Sequence, residues 1–401
     1  MNLPGVLYNR DFLKLWVAQI ASQFALNILN FVLLIKVYEA TTSNTSVSLL
    51  LLAFGVPGLL LGYLAGSYVD SVNTKSVLII TNTVRALVIL MLFFLPNSLA
   101  GYYVVALIIS LASQFFIPAE GSLLPKLVPN DQLLSANSIF TTTLYVMTFV
   151  GFLLAGPSLR VFDTEGTALL IAGSFLIALV ACWLLPKAER RPVISESLAY
   201  VTHIFSGLKF VWKSKEVKHS LFFLTLTQTI FLVIATIAPG FLDKVLKIDV
   251  RETSLVLVAP AAIGLLLGAV FLNRLAKTHS PRRLVTSGML GMGATLVGLT
   301  ITGLIVSDVY RIALTILLAF FLGVEIALIN IPATTSLQME TREDLRGRMY
   351  GLLVSLQSGA SLLPVILAGA FADLFGVGFV LQGMGFGILG VGVYRLRHRF
   401  L

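Results

Sequence analysis

Twelve apolar runs fill almost the whole of this chain, beginning near Phe12, Ser46, Ser76, Gly101, Leu133, Gly166, Ser220, Thr253, Leu284, Tyr310, Met349 and Gly376 and mostly separated by short polar or Gly/Pro-containing turns. A helix that crosses hydrocarbon needs about 20 predominantly apolar residues, so a chain built this way has too little polar surface to clothe a water-soluble fold. Of its 401 residues 57% are hydrophobic and 12% charged, against roughly 25% charged in soluble domains, and the mean hydropathy is +0.94. A soluble enzyme is excluded on these grounds. The pattern predicts an all-α polytopic membrane protein with twelve transmembrane helices. The opening MNLPGVLYNRDFLKLWVAQ has no short hydrophobic region followed by a small-residue cleavage site, so the first run reads as a retained span.

The net charge of +9 does not make this a nucleic-acid binder, because the basic residues lie between hydrophobic runs rather than on one face with stacking aromatics. Their distribution orients the chain instead. With both ends on the cytoplasmic side, twenty-one lysines and arginines fall in inner connections, six in outer ones, and Arg85 alone within a span. That asymmetry is what the positive-inside rule requires. The expectation is a multi-pass protein of the cell (inner) membrane with both termini cytoplasmic. The single cysteine, Cys182, sits in an apolar run and the four histidines sit in charged stretches, so no disulfide framework, metal site or cysteine nucleophile is expected. No cofactor is expected either, and without a G-x-x-x-x-G-K-[ST] sequence no direct ATP coupling.

The longest connection, at mid-chain, divides six spans from six. The expected organisation is an N-terminal six-helix bundle over 1–186, a cytoplasmic linker over 187–218 and a C-terminal bundle over 219–401. Within the linker, Leu198, Val201, Phe205, Leu208 and Trp212 recur every three or four residues, the pattern of an amphipathic helix at the membrane surface; a plain tether is the alternative. An internal repeat supports the division. Ser48–Gly62 aligns with Ser254–Gly268 at an offset of 206 with nine identities in fifteen positions, and IPAEGSL (Ile117–Leu123) aligns with IPATTSL (Ile331–Leu337) at 214. Two parallel six-helix halves are the build of transporters whose halves rock about a central site.

These residues resemble the major facilitator superfamily over essentially the whole chain. Gly66, Asp70 and Lys75 match its G-x-x-x-D-R-x-G-R-K signature after span two, with Ser71, Asn73 and Thr74 in place of the Arg, Gly and Arg. The resemblance implies that Gly66, Asp70 and Lys75 form a cytoplasmic gate. Gly156-Pro157 in span five, with Gly151 before it, is similar to part of the glycine-proline signature of the superfamily's exporters, which implies a gating role for that pair. A narrower likeness lies in Pro118-Ala119, Leu123-Leu124-Pro125, Leu127-Val128-Pro129, Leu134 and Ala136-Asn137, with Gln338 and Arg346-Gly347-Arg348 later. It resembles the branch of macrolide-efflux-type, siderophore-exporter and lysophospholipid-transporter proteins. The resemblance implies the major facilitator fold of two pseudo-symmetric bundles and a monomeric secondary transporter working by alternating access. The expected cargo is an exported amphipathic small molecule, drug-like or siderophore-like, with protons as a possible coupling partner. The alternative keeps the fold and makes the protein a lysophospholipid flippase; a non-transporting receptor and a polytopic membrane enzyme are remote alternatives.

Polar groups inside the spans are the candidate site residues. Gln19, Gln23, Asn27 and Asn30 are spaced by four, four and three, which puts their amides on one helical face. Amides in hydrocarbon need partners, so this face lines either a polar cavity or a helix contact. Arg85, Glu120 and Glu325 are the ionisable residues within spans and are functional candidates on that ground. At 1.5 Å per residue, Arg85 and Glu120 differ in depth by roughly 6 Å, which predicts a neutralising pair. Glu325 is then left without a cation and becomes the candidate for proton exchange or for contact with a cationic part of the cargo; a permanently protonated, hydrogen-bonded acid is the alternative. Tyr145, Gln228, Asn330 and Gln357 complete the candidate cavity groups.

Overall fold

Hydrocarbon cannot satisfy backbone N–H and C=O groups, so a spanning chain closes them within helices. The computed structural model describes residues 3–94, 98–186, 214–275, 278–341 and 346–397, and among them are helices and turns but no strand. A short helical turn, Leu3–Leu7, precedes α1 (Arg10–Thr41), α2 (Asn44–Ser71), α3 (Thr74–Phe94) and α4 (Leu99–Leu127). The 51-residue run Leu133–Trp183 is broken at Asp163, whose φ of 53° and ψ of −169° leave the helical region, giving α5 (133–162) and α6 (164–183). Then follow α7 (Lys215–Gly240), extended by a π-helical turn to Leu246, α8 (Ala259–Leu275), entered by a π-helical turn from Ser254, α9 (Pro281–Thr302), α10 (Asp308–Glu340), α11 (Arg346–Phe375) and α12 (Val377–Arg397).

Among the described residues ten helices are long and apolar enough to cross a membrane, one of them being the broken run. With the run taken as two and the 21-residue α3 added, the described residues supply the twelve spans expected. The chain is a multi-pass membrane protein. Most helices start a few residues before their apolar runs, whereas α5 starts with its run and α8 and α12 start after theirs. Ser98, Ser214 and Ser280 cap α4, α7 and α9 by accepting from the amides of Gly101, Val217 and Arg283, which removes orphan donors at those ends. Asn9 does two such tasks: its Oδ1 accepts from the amides of Asp11 and Phe12, while its Nδ2 donates 2.7 Å to the Leu127 carbonyl at the end of α4. Of the expected linker, residues 187–213, including the amphipathic stretch from Leu198 to Trp212, lie outside the described residues.

The fold separates into two compact units, one of Met1–Ala40 with Leu52–Ser197 and one of Thr41–Leu51 with Leu198–Leu401. In the first, α3 packs against α4 and against the α5–α6 run. In the second, α10 packs on α8 and α9, α9 on α12, and α7 on α10 and α11. Glycines set how closely these helices approach. A side chain at Gly323 would overlap the carbonyl oxygen of Ala261, and one at Gly264 that of Phe320, so α8 and α10 touch backbone to backbone. Likewise, a Cβ on Gly385 would meet the Gly293 carbonyl oxygen at 2.9 Å, and one on Gly293 that of Gly385 at 2.7 Å. Small residues that let backbones meet are the usual means of helix association in lipid.

The second unit also holds the start of α2. Its Ser43-Asn44-Thr45 opening has no acid of its own, and Asp373 near the end of α11 fills the role. The Asp373 carboxylate accepts from Ser43 Oγ (2.6 Å), the Asn44 amide (2.8 Å), Asn44 Nδ2 (2.9 Å), the Thr45 amide (2.9 Å) and Thr45 Oγ1 (2.7 Å). It caps the helix from outside its own sequence and places a negative charge at the positive end of the dipole. Asp373→Ala is expected to lower unfolding stability by about 1–2 kcal/mol, as loss of an N-cap does, and Asp373→Asn by less. Chemical unfolding of the purified variants gives the comparison; equal stability of Asp373→Ala and wild type would remove the capping role.

Candidate functional site

The first unit encloses a cation. Arg85, on α3, is 1% exposed. Its Nη1 donates 2.8 Å to Ser22 Oγ on α1 and its Nη2 donates 2.9 Å to Ser113 Oγ on α4. The guanidinium carbon stands 4.4 Å from the ring centre of Phe116 and 5.8 Å from that of Phe175, within reach of a cation–π attraction. The predicted ion pair with Glu120 is not what forms. Glu120 is buried with its Oε1 unpartnered, and no contact within 4.0 Å joins the two among the described residues. Ser113, Phe116 and Glu120 recur at i, i+3 and i+7 and share one face of α4, so height along that helix decides: the guanidinium meets the face at Ser113 and Phe116, two turns and one turn before Glu120.

Of the amide stripe of α1, Gln19, Gln23 and Asn27 are buried within the same unit and Asn30 is half-buried. Gln19 Nε2 donates 3.1 Å to the Phe140 carbonyl on α5, and Asn27 Nδ2 donates 2.8 Å to the Gln23 carbonyl. Gly151 lies so close that a Cβ there would come within 2.6 Å of Asn27 Cβ. Gln19 Oε1 and Asn30 Oδ1 are buried without partners. Tyr145 is 70% exposed and is not brought to this cluster.

The second unit encloses an acid. Glu325, on α10, is 7% exposed; its Oε1 accepts 2.8 Å from Thr295 Oγ1 on α9, and its Oε2 is buried without a partner. Gly291 makes room for it, since a Cβ there would meet Oε1 at 2.7 Å. A second polar cluster ties α7 to α10 and α11: Thr227 Oγ1 donates 2.6 Å to Asn330 Oδ1, Gln357 Nε2 donates 3.1 Å to the Leu224 carbonyl, and Thr229 and Ser361 share a hydroxyl contact of 2.9 Å. Asn330 and Gln357 are thus brought together around α7, and Gln228 on that helix is half-buried.

The two charges occupy related places. Arg85 and Thr295 are separated by 210 positions, Ser113 and Glu325 by 212, both between the offsets of 206 and 214 that align the repeats. The same pair of helices in each half, third against fourth, is therefore joined by one charged group and one hydroxyl, with the charge positive in one half and negative in the other. Sequence reasoning found both charged members and missed the hydroxyls, because serine and threonine are common in spans and only helix rotation distinguishes these.

Of the gate residues implied by the resemblance, Lys75 donates through Nζ to the Leu185 carbonyl at the end of α6. Gly66 has open space where a Cβ would be, Gly156 is buried and Pro157 half-buried, and the side chain of Asp70 lies outside the described residues. Two apolar hollows mark the surfaces. One of about 490 Å³ lies between α8 and α10, walled by Ile263, Ala313, Ile316 and Phe320, and one of about 390 Å³ lies between α1 and α6, walled by Val17, Ile177 and Val180. They suit acyl chains of the surrounding bilayer. Among the described residues no group of three His, Cys, Asp or Glu side chains is placed to hold a metal ion.

Known proteins resemble this chain along most of its length. Macrolide efflux protein A of Streptococcus pyogenes is 23% identical over 385 residues, covering 93% of this chain and 92% of that one. The lysophospholipid transporter LplT of Klebsiella pneumoniae is 23% identical over 386 residues, covering 95% and 93%, and the MFS-type transporter YfiS of Bacillus subtilis is 25% identical over 378 residues, covering 91% and 87%. Among solved structures, a bacterial homologue of the iron transporter ferroportin in its inward-facing state superposes with a TM-score of 0.76 at 14% identity, covering 96% of this chain and 98% of that one, a likeness of fold. The family model of the Major Facilitator Superfamily matches residues 15–364. With twelve spans, an internal repeat and that match over most of its length, this chain belongs to the Major Facilitator Superfamily, a family of membrane transporters.

Proposed function

We propose that this protein is a secondary transporter of the cell (inner) membrane, a monomer with both termini cytoplasmic, that exports an amphipathic small molecule by alternating access. The observation that carries this reading is the end-to-end likeness to macrolide efflux protein A. Phenylalanine, with 27 residues, supplies apolar surface for such a cargo; polar groups that can hydrogen-bond to it are Gln19, Gln23, Asn27 and Asn30 in the first unit and, separately, Gln228, Asn330 and Gln357 in the second. The equally complete likeness to LplT favours a second reading, movement of a lysophospholipid across the bilayer.

Glu325 is the proposed coupling group. It meets a single hydroxyl, Thr295, and no cation among the described residues, so its charge is left for a proton to neutralise. Glu325→Gln keeps the contact with Thr295 and removes the titration. The test reconstitutes the full chain in liposomes and follows a fluorescent amphipathic dye, a macrolide and a labelled lysophospholipid, with and without a pH gradient. Wild type is expected to drive dye or macrolide flux with the gradient, and Glu325→Gln to lose at least nine-tenths of the driven component, about tenfold in rate, while retaining downhill flux. Lysolipid movement indifferent to the gradient and to the substitution would establish the second reading and reduce Glu325 to a hydrogen-bonding group.

A further inference from the structure

A buried guanidinium stays charged, and unless acceptors surround it the cost of its desolvation stands uncompensated. Arg395, in the last turn of α12, is only 6% exposed, and its Nε and Nη1 are both buried without a hydrogen-bond partner. The guanidinium carbon lies 4.3 Å from the ring centre of Phe223 on α7, which shields one face and supplies no acceptor in the plane of the group. Among the described residues no carboxylate bonds it. Its charged neighbour is a second cation: Arg282 Nη2 donates 3.0 Å to the Arg395 carbonyl, and the field of Arg282 acts on the Arg395 side chain. Arg282 stands in the first turn of α9, behind the cap Ser280 and beside Arg283, where the helix dipole adds a further positive potential. Three sources of positive potential thus converge on two donors, Nε and Nη1 of Arg395, that have no hydrogen-bond partner among the described residues.

We propose that Arg395 and Arg282, at the junction of α7, α9 and α12, form an oxyanion site that takes a phosphate group. Arginine donors in fixed positions match phosphate oxygens better than ammonium groups do, and a ligand oxygen on Nε or Nη1 would supply the acceptor that Arg395 lacks. Phosphate chemistry reaches such a position from two sources, the head group of an anionic phospholipid or a phosphate ion in solution. The basic end of α12, with Arg395 and Arg397 in its last turn, is by the charge asymmetry of the chain the cytoplasmic end, where both are present. The site stands apart from the transport reading and does not depend on it.

The full chain, purified in a neutral detergent, is examined by native mass spectrometry and thermal unfolding with phosphatidylglycerol, phosphatidylcholine or inorganic phosphate added. Wild type is expected to retain phosphatidylglycerol over phosphatidylcholine and to unfold at a higher temperature in its presence. Arg395→Gln should weaken that retention about tenfold, as loss of a charge-assisted contact does, and Arg282→Gln should weaken it less. Arg395→Lys keeps the charge and serves if Arg395→Gln does not fold; it should retain the lipid weakly. Lys247→Gln, beyond the other end of α7, should behave as wild type. Stabilisation by inorganic phosphate that Arg395→Gln abolishes would assign the site to a soluble anion, and stabilisation by the lipid alone would assign it to a head group. Wild type indifferent to both probes, or folded Arg395 and Arg282 variants that respond as wild type does, would overturn the site.

Discussion

Gly323→Leu is expected to abolish stable accumulation of the protein, or to yield material destabilised by about 3 kcal/mol or more, the upper range of overpacking effects. The cause is local and steric. Where Gly323 faces the Ala261 carbonyl and Gly264 faces the Phe320 carbonyl, any side chain overlaps backbone, and backbone on a packed helix has no rotamer by which to escape. Gly264→Leu should therefore behave alike. Glycines elsewhere provide the contrast. On α12, nothing lies within 4 Å of a Cβ built at Gly378, Gly383, Gly387 or Gly390, while one at Gly385 would meet Val297 Cγ2 at 2.7 Å. Alanine at the four open positions should be neutral or stabilising by up to about 1 kcal/mol, since glycine is the poorer helix former by that amount, and Gly385→Ala should destabilise. Thermal unfolding of this series decides the matter, and a uniform response along α12 would show that close approach does not govern its packing.

Removal of the Arg85 side chain is the second large effect expected. Arg85→Ala should cost about 2–5 kcal/mol, the range found when a large buried side chain is cut back to alanine, because Ser22 and Ser113 lose their donor and Phe116 and Phe175 lose the group packed on them. Arg85→Met keeps the length of the stem without the charge and should recover part of the loss. The cycle with Glu120→Gln distinguishes two accounts of the charge. With hydroxyls as the partners of Arg85, the two substitutions should be nearly additive, coupled by about 1 kcal/mol or less through the field alone. A coupling as large as the Arg85→Ala effect itself would make Glu120 the partner after all.

The spans were legible because the property that decides them, apolar length, is a sum over neighbours in sequence. Most helices begin slightly ahead of their apolar runs where a polar first turn precedes the run, as with Ser214 ahead of Val217 and Ser280 ahead of Arg283, and α8 begins later than its run because a π-helical turn from Ser254 precedes it. The break between α5 and α6 was harder to place. Gly166 is where a reader expects a turn, yet the left-handed residue is Asp163, a type that tolerates positive φ better than most.

The site was legible in its charges and illegible in its pairings. Arg85, Glu120 and Glu325 stand out in any apolar run, but whether two of them meet depends on how their helices cross and at what height the side chains come together, which spacing along one helix does not encode. Asp373 shows the same limit: Ser43-Asn44-Thr45 announces a helix start, and the acid that completes it comes some 330 positions later. Arg395 was counted among the inner basic residues, where a solvated charge is the ordinary expectation; its burial against Phe223 is a property of three helices together.

The opposite charges carried by equivalent helix pairs bear on what the two halves can exchange. Two identical copies of the repeated unit would be interchangeable at every contact. Arg85 against Ser113 and Thr295 against Glu325 mark where that interchangeability ends. A protein made of two copies of the first half would enclose two cations and no acid at this position, and one made of two second halves would enclose two acids and no cation. At this buried contact neither half can therefore stand in for the other without reversing the sign of the charge it encloses.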